Sequence, residues 1–253
     1  MPSYVVTGAS KGLGFAFIKQ LASDPANTVV GIVRDMVATE EKLKKHGIHN
    51  VKIYAADITD LPALEAAATE IQRTVGGIDY LIANAAFVSG VTSLRNLSDF
   101  AGRPEVLRKD MIDSFSTNVV GFINTVNAFI AGVRTGQVKK VIAITSGMGE
   151  IGFKAGVNMA IAKYSAIYRQ EGILVFGICP GSIDTDAQNA SNLNEEDLKR
   201  LQAVGAKTIA YAPHFKGPVS AEEAAKRVLA IVEMARFGDG KAGTTISQTG
   251  TDR

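Results

Sequence analysis

The sequence predicts an α/β fold, a doubly wound parallel sheet with helices on both faces, formed by one domain spanning residues 1–253. Three observations carry this. Short apolar runs of strand length alternate with amphipathic runs of helix length, the pattern of a parallel sheet with crossover helices. The first alternation places Thr7–Gly14 (TGASKGLG) between the apolar Tyr4-Val5-Val6 and the periodic Phe15, Phe17, Ile18 and Leu21, which reads as strand, glycine turn, helix. Finally, 253 residues with 46% hydrophobic and 21% charged side chains suit one globular unit with a sizeable core, and no linker or repeat divides them.

Taken in order, strands are expected near Ser3–Thr7, Thr28–Val33, Val51–Ala55, Tyr80–Asn84, Lys140–Thr145, Ile173–Ile178 and Thr244–Ser247. Helices are expected near Gly14–Ser23, Ala38–Lys45, Leu61–Thr74, Pro104–Val133, Phe153–Gln170, Glu195–Val204 and Ala221–Ala235. Ala85–Arg103 and Gly181–Ser220 are the long irregular connections. Ligands of such sheets sit beyond the carboxyl ends of the strands, so long connections there are candidate walls, and residues 181–220 read as a substrate lid.

The glycine turn is the strongest local signal. Gly8 permits a tight turn, Gly12 lets the main chain approach a ligand, and Gly14 lets helix and strand pack closely. Backbone N–H groups at a helix N-terminus then donate to an anionic diphosphate. An ordinary strand-to-helix turn needs only one glycine, and here there are three.

Charge and cysteine content narrow the function classes. A formal charge of +2 without a basic run argues against nucleic acid or an anionic membrane as the main partner, and Lys44-Lys45-His46 suits a helix C-terminus. One cysteine, Cys179, leaves no internal disulfide framework and fits a reducing compartment; it reads as a small buried residue. The chain enters a strand almost at once, leaving no room for a signal peptide, and no apolar stretch is long enough for a bilayer, so a cytoplasmic protein is expected. His46 and His49 have no acidic or sulfur partner nearby in sequence, and no metal site is expected.

The G-x-x-x-G-x-G spacing after Thr7 resembles the short-chain dehydrogenase/reductase family, and further positions extend the resemblance over nearly the whole chain. It implies a Rossmann fold that binds NADP(H), with Gly8, Ser10, Lys11, Gly12, Leu13 and Gly14 forming the diphosphate turn. Ala56-Asp57-Ile58-Thr59 is similar to the family's adenine-binding element, in which Asp57 would hold the amino group and Ile58 would pack on the ring. Asn84-Ala85-Ala86 is close to its Asn-Ala-Gly, where the asparagine steadies the sheet and small residues admit the cofactor. Thr117-Asn118-Val119-Val120-Gly121 matches the asparagine that kinks a helix and positions a water of the proton relay. Pro180-Gly181-Ser182-Ile183-Asp184-Thr185 is similar to the family's stretch that contacts the carboxamide and diphosphate, implying roles for Pro180, Gly181, Ile183 and Thr185.

The second strand ends in Arg34-Asp35. An acid there suits a ribose 2′-hydroxyl and a cation suits a 2′-phosphate. Arg34 and Lys11 are two cations facing one acid, which favours NADP(H), while Asp35 is the competing observation.

The resemblance breaks at the catalytic stretch. Ser146 falls where the family's serine bonds the substrate oxygen, and Lys154, placed by Lys154-Ala155-Gly156-Val157-Asn158-Met159, falls where its lysine holds the ribose. Four residues before that lysine the family has a tyrosine that supplies a proton; here the position is Glu150, and the segment between Ser146 and Lys154 is about a dozen residues short of the family's usual length. Three readings follow. Glu150 inherits the proton-transfer role, although beside Lys154 it would stay ionised and be a poor acid. Alternatively the chain binds the cofactor without ordinary carbonyl reduction, as a redox-inactive sensor or scaffold or as a non-redox enzyme. In the third, the segment belongs to the protein and is missing from this sequence. Tyr164 and Tyr168 lie about 15 and 21 Å past Lys154 along a helix axis, and Tyr211 belongs to the lid.

The leading expectation is an NADP(H)-dependent oxidoreductase interconverting a carbonyl and a secondary alcohol, with Ser146, Lys154 and Asn118 as its catalytic group. Its partner is a small-molecule carbonyl or alcohol, and it assembles as a homodimer or homotetramer through its two long helices.

Overall fold

The computed structural model of the chain describes residues 1–92, 95–146, 151–184, 194–211 and 217–248, with the side chains at 151–154, 204 and 207–211 outside that description. Its elements run β1 (Ser3–Thr7), α1 (Gly12–Leu21), β2 (Thr28–Val33), α2 (Met36–Lys45), β3 (Val51–Ala55), α3 (Leu61–Val75) and β4 (Tyr80–Ala83). They continue with α4 (Pro104–Phe115), α5 (Gly121–Thr135), β5 (Lys140–Ile144), α6 (Ile151–Tyr168), β6 (Leu174–Cys179) and β7 (Ile183–Asp184). The last are α7 (Glu195–Tyr211), β8 (Val219–Ser220), α8 (Ala221–Met234) and β9 (Thr245–Ser247).

Seven strands form one parallel sheet in the order β3-β2-β1-β4-β5-β6-β9. The strand order reverses between β1 and β4, and the crevice at such a switch point is where open α/β sheets bind ligands. Side chains alternate across the sheet, so Tyr4 and Val6 face the layer of α1 and α8 while Val5 faces the layer of α3, α5 and α6. Both faces are therefore covered, which is why the strands read as nearly continuous apolar runs. At the opposite pole Asp79 fastens the base of the sheet. Its carboxylate accepts from the main-chain N–H groups of Ser3 (2.9 Å), Gln137 (2.7 Å) and Val138 (3.0 Å).

The structure revises several boundaries. The helix expected over Pro104–Val133 is α4 and α5 joined by a π-helical turn at Ser116–Val120 that contains Asn118. Helix α2 starts two residues early, because the Asp35 carboxylate caps it by accepting from Ala38 N at 3.0 Å. The stretch read as a lid holds more regular structure than expected. Helix α7 extends to Tyr211, and β7 and β8 form a second parallel pair, Ile183 with Val219 and Asp184 with Ser220. Two-residue strands carry no periodicity for a sequence to reveal.

Candidate active site

The site is built from the carboxyl ends of β1, β4, β5 and β6. Leaving β1, Gly8 adopts φ +68°, and a Cβ there would lie 2.8 Å from the Ala85 Cα, so the β1 and β4 ends approach through bare backbone. A Cβ on Gly14 would lie 2.2 Å from the Gly8 carbonyl oxygen and 2.6 Å from the Asn84 amide nitrogen. Asn84 completes the clasp: its Nδ2 donates to Thr7 O at 3.0 Å, while Thr7 Oγ1 accepts from the Asn84 and Ala85 main-chain N–H groups. No side chain caps α1 at Lys11 and its first turn contains no acid, so its leading N–H groups are left for an external acceptor. These features fit a dinucleotide diphosphate, and the residues that would hold it are those of the Gly8–Gly14 turn.

At the β2 and β3 ends the two candidate ribose groups part company. The Asp35 carboxylate is tied into the start of α2, and Thr39 Oγ1 donates to the Asp35 carbonyl at 2.7 Å. Arg34 is exposed, and its charge reaches Asp57 across the strand ends. Burial pushes the Asp57 carboxyl up, but hydrogen bonds from the Thr59 N–H and hydroxyl, with the Arg34 field, outweigh it and hold the group below its ordinary value. Ile58 is buried at the start of α5, where a Cβ on Gly121 would meet its Cδ1 at 2.6 Å.

At the other end of the crevice, Ser146 is exposed just beyond β5, one strand from the Asn84–Ala86 segment. Asn118 lies in the π turn and pairs with the Phe87 main chain, accepting from its N–H at 2.8 Å and donating to its carbonyl at 2.9 Å. The extra residue of a π turn re-aims a side chain, and here it ties α4–α5 to the chain leaving β4. Pro180 and Gly181 follow β6, with Gly181 at φ +80° against the Gln248 amide, and Ile183 is buried in β7. Lys154 belongs to α6, but its side chain lies outside the described residues, as do Glu150, Thr185 and the Tyr211 side chain.

The helix tyrosines are accounted for elsewhere. Tyr164 donates to Asn127 Oδ1 at 2.7 Å on α5 and stacks on Tyr168 at 5.9 Å, and burial pushes its hydroxyl up to about 12. A phenol held that way does not serve as an acid for the crevice. Cys179 is buried, and His46 packs against the Phe15 ring at 5.3 Å.

A strap that sequence reasoning missed runs from the chain after β4 to α7. Buried Asp110 on α4 accepts from Ser89 Oγ at 2.6 Å and Thr92 Oγ1 at 2.7 Å. Beyond it, Arg95 meets Asp197 at 3.2 Å and Asp99 meets Arg200 at 2.5 Å, crossing to α7 through two partly buried ion pairs. The partners lie about a hundred residues apart, so no local spacing announces them.

The sequence model of the short chain dehydrogenase family matches residues 3–196. The chain is 37% identical over 271 residues to the short chain dehydrogenase virK of Hypocrea virens, covering 100% of this chain and 99% of that one. This chain belongs to the short-chain dehydrogenase/reductase family. Members of the family are oxidoreductases that use NAD(P)(H). A second relative, the short-chain dehydrogenase/reductase iacC of Pestalotiopsis fici, is 39% identical over 269 residues, with 99% and 98% of the two chains covered. Both alignments are longer than this chain's 253 residues, so each of these dehydrogenases carries residues with no counterpart here. The fold is also that of an NADPH-bound carbonyl reductase from chicken fatty liver, with a TM-score of 0.71, 21% identity and coverage of 100% and 98%.

Proposed function

We propose that this chain is an NADP(H)-dependent oxidoreductase that interconverts a carbonyl and a secondary alcohol within one domain. What carries the reading is a single alignment along the sheet edge: the glycine turn with its uncapped helix, Asp57, Asn84–Ala86, Ser146 and Pro180–Gly181 occupy successive strand ends. Asp35 committed to α2 and Arg34 left exposed support the phosphorylated cofactor over NAD(H). Bound there, the cofactor supplies the hydride chemistry. Ser146 orients the substrate oxygen and stabilises the negative charge that develops on it. Lys154, Ile183 and Thr185 hold the nicotinamide end, and Asn118 keeps the π turn against Phe87 for the proton relay.

A second reading, cofactor binding without turnover, is favoured by one observation: the short Ser146–Lys154 segment lacks the family's tyrosine, and Tyr164 is fixed to α5. The two separate cleanly. Titration with NADPH should give saturable binding in both cases, and Lys154→Ala should weaken it. Loss of reduced-nicotinamide absorbance with a panel of ketones and quinones is expected of the enzyme; tight binding with no loss across the panel supports the second reading.

The assembly proposed is a homodimer or homotetramer through the α4–α5 and α6 surfaces. Ile112, Phe115, Val120 and Met159 are exposed there, an apolar set that a second copy would cover. Light scattering after size exclusion gives the stoichiometry. No described helix is long and apolar enough to cross a membrane; the single cysteine supports placing the protein in a reducing compartment such as the cytoplasm.

A further inference from the structure

Lys42 stands out among the cations near the glycine turn because it comes from a different element. It sits in the last turn of α2, yet its side chain runs back to the turn, where Nζ donates to the Ser10 carbonyl at 3.2 Å. The same ammonium lies 4.1 Å from the centre of the Phe15 ring, on α1, which fixes its height above the helix. Among the described residues no carboxylate forms an ion pair with it, so its charge is not cancelled locally. Lys42 is partly buried, whereas Lys11 and Arg34 are exposed on their surfaces.

We propose that Lys42 is a specificity-determining cation for a 2′-phosphorylated adenosine, acting on it through the Ser10–Lys11 peptide. The proposal rests on the NADP(H) reading above and adds to it a residue on α2. A trans peptide points its N–H opposite to its carbonyl. With the Ser10 carbonyl drawn to Lys42, the Lys11 N–H is held facing away from α2, in one orientation. The ammonium also sets a fixed positive charge behind the turn, while Lys11 and Arg34 are free to close on the phosphate from the solvent side. Asp35 contributes to the same geometry, since capping α2 fixes the helix from which Lys42 reaches back. The three cations then favour a 2′-phosphate, which adds two negative charges, over a 2′-hydroxyl, which adds none.

The test compares 2′,5′-ADP with 5′-ADP, two ligands that differ only in the 2′-phosphate and need no turnover. Binding to the full chain is measured by calorimetry for wild type, Lys42→Met and Lys42→Arg, with thermal melts of each. Methionine keeps an apolar stem for the Phe15 contact and removes the charge. Lys42→Met should weaken 2′,5′-ADP about fivefold, the scale of one half-exposed charge, while 5′-ADP changes less than twofold. Lys42→Arg should restore most of the loss, and raising the salt concentration should shrink it. A wild-type preference for 2′,5′-ADP that survives Lys42→Met unchanged overturns the proposal, as does an equal loss for both ligands, which would make Lys42 a packing residue. A wild type with no preference between the two ligands defeats the NADP(H) reading itself, a separate outcome.

Discussion

Gly14→Ala tests the geometry on which the site depends, because elementary propensity and the structure predict opposite signs. Gly14 lies in the first turn of α1 with no positive φ, and alanine is favoured over glycine in a helix by up to about 1 kcal/mol. In an open helix the substitution would stabilise. Here the new Cβ would sit 2.2 Å from the Gly8 carbonyl oxygen and 2.6 Å from Asn84 Nδ2. The first is a backbone atom held in place by Gly8 N donating to Ile32 O at 2.9 Å, so it has no rotamer to escape into. Overpacking of this kind costs typically 1–3 kcal/mol, and the rigid neighbour puts it at the upper end, about 3 kcal/mol. The net loss is about 2 kcal/mol, a fall in Tm of about 4–8 °C for a chain of this size. Differential scanning calorimetry measures it directly, and NADPH affinity should fall with it because α1 must move off the turn. Gly47→Ala is the control: φ is +68° with open space around it, so it should cost about 1 kcal/mol of backbone strain and leave nucleotide binding alone. A Gly14→Ala protein that melts at or above the wild-type temperature refutes the close approach between α1 and the β1 end.

Three further outcomes are expected. Burial raises the Asp79 carboxyl, but its main-chain and Ser3 hydrogen bonds outweigh that and hold it below the ordinary value. Its stabilisation is thus complete above the unfolded pKa and is lost as pH falls through the lower folded one; acid melts of Asp79→Asn should show a flatter pH dependence below about pH 4 and, at neutral pH, a loss of about 2 kcal/mol. Arg34→Ser should weaken NADPH about tenfold and NADH little, read by fluorescence titration, and equal losses would count against its assignment to the 2′-phosphate. Arg200→Ala removes a partner of Asp99 and should speed amide exchange in α7 severalfold, with Asp99→Ala giving the same pattern and the double variant adding little.

The legible parts of this protein were those encoded over short distances. Six strands of the main sheet could be read because they are compact, mostly apolar runs bounded by turn residues, β9 (Thr-Ile-Ser) being the exception, and β1, β2 and β3 begin and end where the alternation of types places them. The glycine turn was legible for a steric reason: Gly8 at φ +68° and Gly14 beside a carbonyl oxygen admit no side chain, and that demand shows directly as residue type. Asn84 and Asn118 could be marked as unusual, but not what they bind, since the Thr7 and Phe87 main chains come to them only when β1, β4 and the π turn are assembled.

Residue type and spacing by themselves determined the fold class and the glycine turn at the end of β1; the short segment before Lys154 shows only against the family's usual length. Tertiary structure alone decided which way charged side chains turn. Arg95 and Arg200 read as surface cations until folding brings Asp197 and Asp99 against them. Asp35 is settled locally instead, its carboxylate accepting from the Ala38 N–H three residues on. Backbone sterics act between near neighbours and are written locally, whereas a long flexible charged side chain is oriented by whichever opposite charge or carbonyl the whole fold delivers to it.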